Sequence, residues 1–77
     1  MHLYEIGIYN RFIRDKLRAG EDVEGSQAAW EEVHYFDIDA DDEQQAERKI
    51  RVQYPKSQGF EIECINKYIN TWKSIYI

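Results

Sequence analysis

The run VHYFDIDADDEQQAERKIRVQYPKSQGFEIECI, residues 33–65, decides the fold because its side-chain period changes twice. From Val33 to Ala40 the residues alternate. His34, Phe36, Ile38 and Ala40 share one face, and Val33, Tyr35, Asp37 and Asp39 share the other. A period of two with aromatic and β-branched residues predicts a strand. One face is apolar and the other turns acidic, as in a sheet covered on one side only. The period then lengthens. Ala46, Ile50 and Tyr54 fall at i, i+4 and i+8, which predicts a helix over about 41–54. Asp41 or Asp42 is placed to cap it, and Asp41 with Gln44 three residues on resembles a capping box. Acids gather in its first half and Arg48, Lys49 and Arg51 in its second, the order that the helix dipole favours. Pro55 stops it. Gln58 and Gly59 turn the chain, and alternation returns from Phe60 to Ile65. Phe60, Ile62 and Cys64 are expected on one face, with Glu61, Glu63 and Ile65 on the other.

Outside this run the same grammar holds. His2 to Tyr9 alternates, with Tyr4, Ile6 and Ile8 opposed to Leu3, Glu5, Gly7 and Tyr9, and reads as a strand. Gly7 marks a bulge or a close backbone approach. Asn10 is placed to cap a short helix near 11–19, and Gly20 to end it. Glu21 to Gln27 reads as an acidic loop. Residues 68–77 fit either a strand or a helix, and their β-branched and aromatic content favours a strand. The expected fold class is therefore α+β. It is a single domain over residues 1–77, with a three- or four-stranded, mainly antiparallel sheet and the main helix packed on one face.

Composition narrows the function classes. A chain of 77 residues with 43% apolar side chains and eleven aromatics holds one core and folds, although with a thin margin. Cys64 is the only cysteine, so neither a disulfide framework within the chain nor a multi-cysteine zinc site is available. No apolar run is long enough to span a membrane, and MHLYEIGIYN lacks the basic and apolar segments of a signal peptide. The expected location is the cytoplasm.

The net charge is −5, but its distribution says more. Residues 19–47 contain eleven acids and no lysine or arginine, between basic stretches at 11–18 and 48–77. On a folded domain such a block steers basic partners, unless the basic ends fold back and neutralise it. Clustered phosphate-binding bases are missing, so direct nucleic-acid binding is not expected.

Chemical motifs fail on spacing. Asp37, Asp39 and Asp41 alternate as in a calcium loop, yet its sixth position is Asp42 instead of glycine and its twelfth is Arg48 instead of glutamate. His2 and His34 have no companions at ligand spacing, and Cys64 reads as core packing. No phosphate-cradling glycine loop is present. No enzymatic activity, metal or cofactor is expected. The stretch YNRFIRDKL is similar to the YNxxVRDKI of the all-α nucleotide pyrophosphohydrolases, but the paired Glu-x-x-Glu helices that carry their chemistry are missing.

A broader likeness covers residues 4–63. The stretches YNRFIRDKLRAGED and YFDIDADDEQQAERKIRVQYPKSQGFEI, with Trp30 between them, resemble a pattern found in small uncharacterised phage-encoded proteins. This resemblance implies an accessory protein of the class that binds and disables a host protein. The leading expectation is stoichiometric inhibition of a host defence or transcription factor in the host cytoplasm. Glu21, Asp22, Glu24, Glu31, Glu32, Asp37 and Asp39 would form the recognition surface and Trp30 its anchor, while core packing is the other role open to Trp30. The expected partner is a host protein with a basic surface, not nucleic acid and not a membrane, with a homo-oligomer left open. Nucleic-acid mimicry by the carboxylates, or sequestration of a small ligand or nucleotide, are the alternatives.

Overall fold

The computed structural model describes residues 2–68. Its elements are, in chain order, β1 (His2–Asn10), α1 (Arg11–Arg18), α2 (Gly25–Ala28), a 3-10 turn at Ala29–Glu31, β2 (His34–Ala40), α3 (Glu43–Gln53), a second 3-10 turn at Lys56–Gln58, and β3 (Phe60–Lys67). The three strands form one antiparallel sheet in the order β2–β1–β3. This is the expected small α+β fold. β2 and β3 are not neighbours. β1 runs between them, antiparallel to both, so α3 carries the chain across the central strand. The fourth strand or helix considered for residues 68–77 falls, beyond Tyr68, outside the described residues.

Central β1 supplies half of the buried core. Tyr4, Ile6 and Ile8 are buried and meet Ala40 of β2 and Ala46 and Ile50 of α3, which together form the core. Fully burying one such aliphatic side chain stabilises the fold by roughly 1.5–3 kcal/mol. Ala46 and Ile50 are the predicted stripe of α3. Tyr54, third in that stripe, closes the helix as its C-cap residue. The N-terminal cap is Asp42, whose carboxylate accepts from the Gln45 amide at 2.7 Å, while the Gln45 side chain accepts from the Asp41 amide at 2.6 Å. The capping pair therefore lies one residue later than the sequence pattern suggested, because Asp42 holds the extended backbone a cap requires.

α1 begins and ends as expected. The Asn10 side chain accepts from the Ile13 amide at 3.1 Å. Gly20 closes the helix through bonds from Gly20 to the Leu17 carbonyl and from Glu21 to the Lys16 carbonyl, a Schellman motif. The segment Glu21–Gln27 is a loop only as far as Glu24. A single helical turn comes next, and the Glu24 carbonyl accepts from both Gln27 and Ala28.

β3 departs from simple alternation. Its register against β1 shifts between Gly7, opposite Cys64, and Ile8, opposite Ile62. Glu63 is the extra residue of a β-bulge, and the bulge reverses the facing of the residues beyond it. Ile65, opposite Ile6, packs against the core. Cys64 stands on the outer face instead of the core face assigned to it by strict alternation. Gly7 admits this. A Cβ there would lie 2.9 Å from Cys64 Sγ and 2.9 Å from Val33 Cγ1. Both sequence readings of Gly7, bulge and close approach, hold at the same place.

At the other end of β1, Gly59 takes φ 95° after the second 3-10 turn. There a Cβ would meet Asn10 Oδ1 at 2.6 Å and the Phe12 ring at 2.7 Å. Gly20, with φ 79°, has nothing within 4 Å. Gly20→Ala should therefore cost only the backbone strain, about 1 kcal/mol, whereas Gly59→Ala adds a steric clash and should cost clearly more. Urea denaturation of the two variants against wild type measures the difference.

Candidate partner-binding surface

The outer face of the sheet carries Leu3, Glu5, Gly7 and Tyr9 from β1, with Tyr35, Asp37 and Asp39 from β2 beside them. Leu3, Tyr35, Asp37 and Asp39 are exposed, and Tyr35 retains 59% of its accessible surface. The core cluster and α3 lie on the opposite face. Register sets Glu5 directly against Asp37. Two like charges so placed repel, and Tyr68 relieves them. Its single hydroxyl proton is shared between Glu5 Oε2 at 3.2 Å and Asp37 Oδ1 at 3.1 Å, and its amide donates to the Leu3 carbonyl at 2.9 Å. Tyr68 is thus a functional candidate that sequence reasoning left within an ambiguous terminal segment. No local signal pairs it with carboxylates 31 and 63 residues away.

All eleven acids of residues 19–47 are exposed, and they fall into separate groups. Glu21, Asp22 and Glu24 lie on the connection between α1 and α2. Glu31 and Glu32 border an open depression of about 640 Å³ whose other lining residues are Arg14, Leu17, Arg18 and Val33. Asp37 and Asp39 stand on the outer sheet face, and Asp41, Asp42, Glu43 and Glu47 surround the start of α3. The predicted recognition residues are therefore not gathered into a single patch. The structure brings Glu31 to Glu32, and Asp37 to Glu5 and Tyr68.

The folding back of the basic ends is local. Arg14 donates through Nε to the Glu31 carbonyl at 2.7 Å, and its guanidinium lies 3.7 Å from the Tyr9 ring centre, a cation–π contact. With Arg18 it tempers the charge of Glu31 and Glu32. Lys49 donates to the Asp39 carbonyl at 2.6 Å, and Arg51 to the Phe60 carbonyl at 3.0 Å. These three bonds end on backbone carbonyls, so these bases do not engage the carboxylates of Asp37 and Asp39, and Asp37 keeps its bond from Tyr68.

Trp30 sits in the first 3-10 turn, half-buried, as the hub of an aromatic cluster. Its ring centre lies 4.4 Å from that of His34, 5.4 Å from Tyr54 and 5.1 Å from Phe60, the last edge-on at 78°. Phe36 joins both, 6.3 Å from Trp30 in a stacked arrangement and 5.1 Å from Tyr54. His34 is held by its Nε2, 2.8 Å from the Ala29 carbonyl. The remaining edge of Trp30 opens, with Phe12, Lys16 and Gln27, onto a depression of about 340 Å³. Core packing thus claims most of the ring and leaves part of it at the surface.

Among the described residues no group of three or more His, Cys, Asp or Glu side chains is arranged to hold a metal ion, and no helix is long and apolar enough to cross a membrane. No family model, no curated protein and no solved structure matches the chain.

The Tyr68 hydroxyl is pushed up to about 12 from its ordinary value of 10.0, chiefly by donation to Asp37, with the Glu5 carboxylate adding to the effect. Ionisation would remove the donor and set a third negative charge beside two carboxylates. Because the folded value is the higher one, the stabilisation from Tyr68 is complete below pH 10 and disappears as pH rises through 12. A chemical-shift titration of the Tyr68 ring should show this late midpoint. The stability difference between wild type and Tyr68→Phe should shrink over the same interval, and a ring titrating near pH 10 would contradict the shared hydrogen bond.

Proposed function

We propose that this domain is a non-enzymatic binding protein that docks a partner protein with a basic surface and acts by occupying it stoichiometrically. Inhibition of a host defence or transcription factor by a phage-type accessory protein is the biological setting that the sequence resemblance implies. The observation that carries the reading is the exposure of all eleven acids between residues 19 and 47. Carboxylates retained at the surface of so small a domain create a field that draws in basic partners and orients them. Further support comes from the bases that reach this region. Arg14 is bound to the Glu31 carbonyl and Lys49 to the Asp39 carbonyl, so both bases end on backbone oxygens and not on carboxylates. Exposed Tyr35 and Leu3 beside the acids supply the apolar contact that a docked partner needs for slow dissociation.

The test is binding kinetics against a partner captured from host lysate, over a range of salt concentrations. Association should slow on the order of tenfold between low and physiological ionic strength. Lysine substitutions at Glu21, Asp22 and Glu24 should slow association, and Trp30→Ala should hasten dissociation. Because Trp30 also holds the aromatic cluster, near-UV circular dichroism must first show that the variant is folded. Salt-independent association, with both variants binding like wild type, would count against docking through the acids.

A further inference from the structure

We propose that the outer edge of β2 is a strand-addition site for a basic, extended segment of the partner protein. The inference rests on reading the acidic surface as the docking surface and supplies the geometry of that docking.

β2 is the outermost strand in the order β2–β1–β3, so among the described residues β1 is its one neighbour. The register shows which of its backbone groups are turned away from β1. The Tyr68 amide bonds the Leu3 carbonyl, which turns the polar groups of Leu3, and by alternation those of Glu5 and Gly7, towards β3. Tyr4, Ile6 and Ile8 therefore face β2 and exchange bonds with Ile38, Phe36 and His34. The intervening residues of β2, Tyr35, Asp37 and Asp39, direct their N–H and C=O groups away from the sheet. Lys49 gives independent evidence of that direction, since its ammonium reaches the Asp39 carbonyl at 2.6 Å from α3. This contact caps one carbonyl. The amides of Tyr35, Asp37 and Asp39 and the carbonyls of Tyr35 and Asp37 still face outwards.

Such an edge is a template for another strand, and natural edges are usually blunted by proline, lysine or a bulge. The sequence HYFDIDA contains neither proline nor lysine, and its pairing with β1 has no register shift. Among the described residues β3 is the better protected edge, since a base caps one carbonyl on each strand but β3 has two further devices. It has the shift at Glu63 and it ends in Lys67, besides the bond from Arg51 to its Phe60 carbonyl.

The side chains select the occupant. An added antiparallel strand sets its alternate residues about 5 Å from Tyr35, Asp37 and Asp39 on the outer face. Lysine or arginine at two alternate positions then meets Asp37 and Asp39, and an apolar residue meets Tyr35. A second copy of this chain fits poorly. Antiparallel β2–β2 pairing centred on Asp37 opposes the two Asp37 carboxylates and crowds the Asp39 carboxylates onto the same ribbon. The same geometry is the strand-addition mode of peptide recognition, in which main-chain bonds give affinity and alternate side chains give selectivity.

The probe is a blocked, fluorescein-labelled octapeptide of alternating lysine and valine. Its companions are a glutamate–valine peptide and two lysine–valine copies, each N-methylated on one of the two sets of alternate amides. Supporting results are binding of the lysine–valine peptide at low salt, with shifts of the Tyr35, Asp37 and Asp39 amide resonances, and no binding of the glutamate–valine peptide. One methylated copy should lose affinity on the order of tenfold or more while the other keeps it, because only one set of amides faces β2. Asp37→Asn with Asp39→Asn, which keeps side-chain shape and the Tyr68 acceptor, should weaken the peptide roughly tenfold through two surface ion pairs. Equal binding by both methylated copies would overturn strand addition and leave acidic docking standing. So would failure of every peptide while a captured partner still associates in a salt-dependent way. Concentration-dependent dimerisation that shifts the same three amides would assign the edge to a second copy and overturn the proposal.

Discussion

Burial of Tyr4, Ile6 and Ile8 on the central strand is the interaction on which the other elements depend. β1 must lie between two partners for its inward face to be dry, and α3 must cross it to cover that face. The covering is economical, since only Ala46 and Ile50 of α3 are buried. The small Ala46 side chain lets the helix come close to the sheet. With so few buried aliphatics, the domain depends on the ring cluster of Trp30, His34, Phe36, Tyr54 and Phe60 to close the open end of the core. That cluster draws one or more rings from the first 3-10 turn, β2, the end of α3 and β3, and each well-placed pair adds about 0.5–1.5 kcal/mol beyond its buried area.

Gly7 links the two faces of the sheet. On the inner side β1 continues unbroken from Ile6 to Ile8, while on the outer side Val33, Tyr35 and Cys64 occupy the space a side chain would need. The bulge beside it brings both Ile62 and Ile65 against the core, which strict alternation forbids. A residue of β3 that looks apolar and inward, Cys64, is displaced outwards as a result. Its half-buried position arises from crowding around a glycine.

Charge behaves differently from hydrophobicity in this chain. The acidic block is continuous in sequence but divided in space, because the chain between Glu21 and Glu47 passes through a loop, two short turns, an edge strand and a helix start. Each division meets a different neighbour. Glu31 and Glu32 adjoin two arginines, the acids around α3 meet the positive end of its dipole, and Asp37 faces Glu5 with only the Tyr68 hydroxyl between them. The outer face near β2 is therefore where exposed carboxylates stand with outward-facing backbone groups alongside.

Local chemistry made much of the fold legible. Alternation identified all three described strands and the inward faces of β1 and β2. Asn10, Gly20 and Pro55 marked helix ends because capping and helix termination act over a few residues. The acids of the candidate surface were also legible as exposed, since charged side chains stay in water unless paired. Other features lay beyond reach because they arise only when distant segments meet. They include the central place of β1, the phase change at Glu63 set by pairing with Gly7, the hydroxyl of Tyr68 between Glu5 and Asp37, and the ring neighbours of Trp30. The sequence by itself determined which residues could be buried and where elements begin and end, because those depend on side-chain period and neighbouring backbone. Only the tertiary structure decided which strand lies at the edge, which carboxylates oppose one another across strands and which of them a cation reaches, because register and strand order are set by long-range packing.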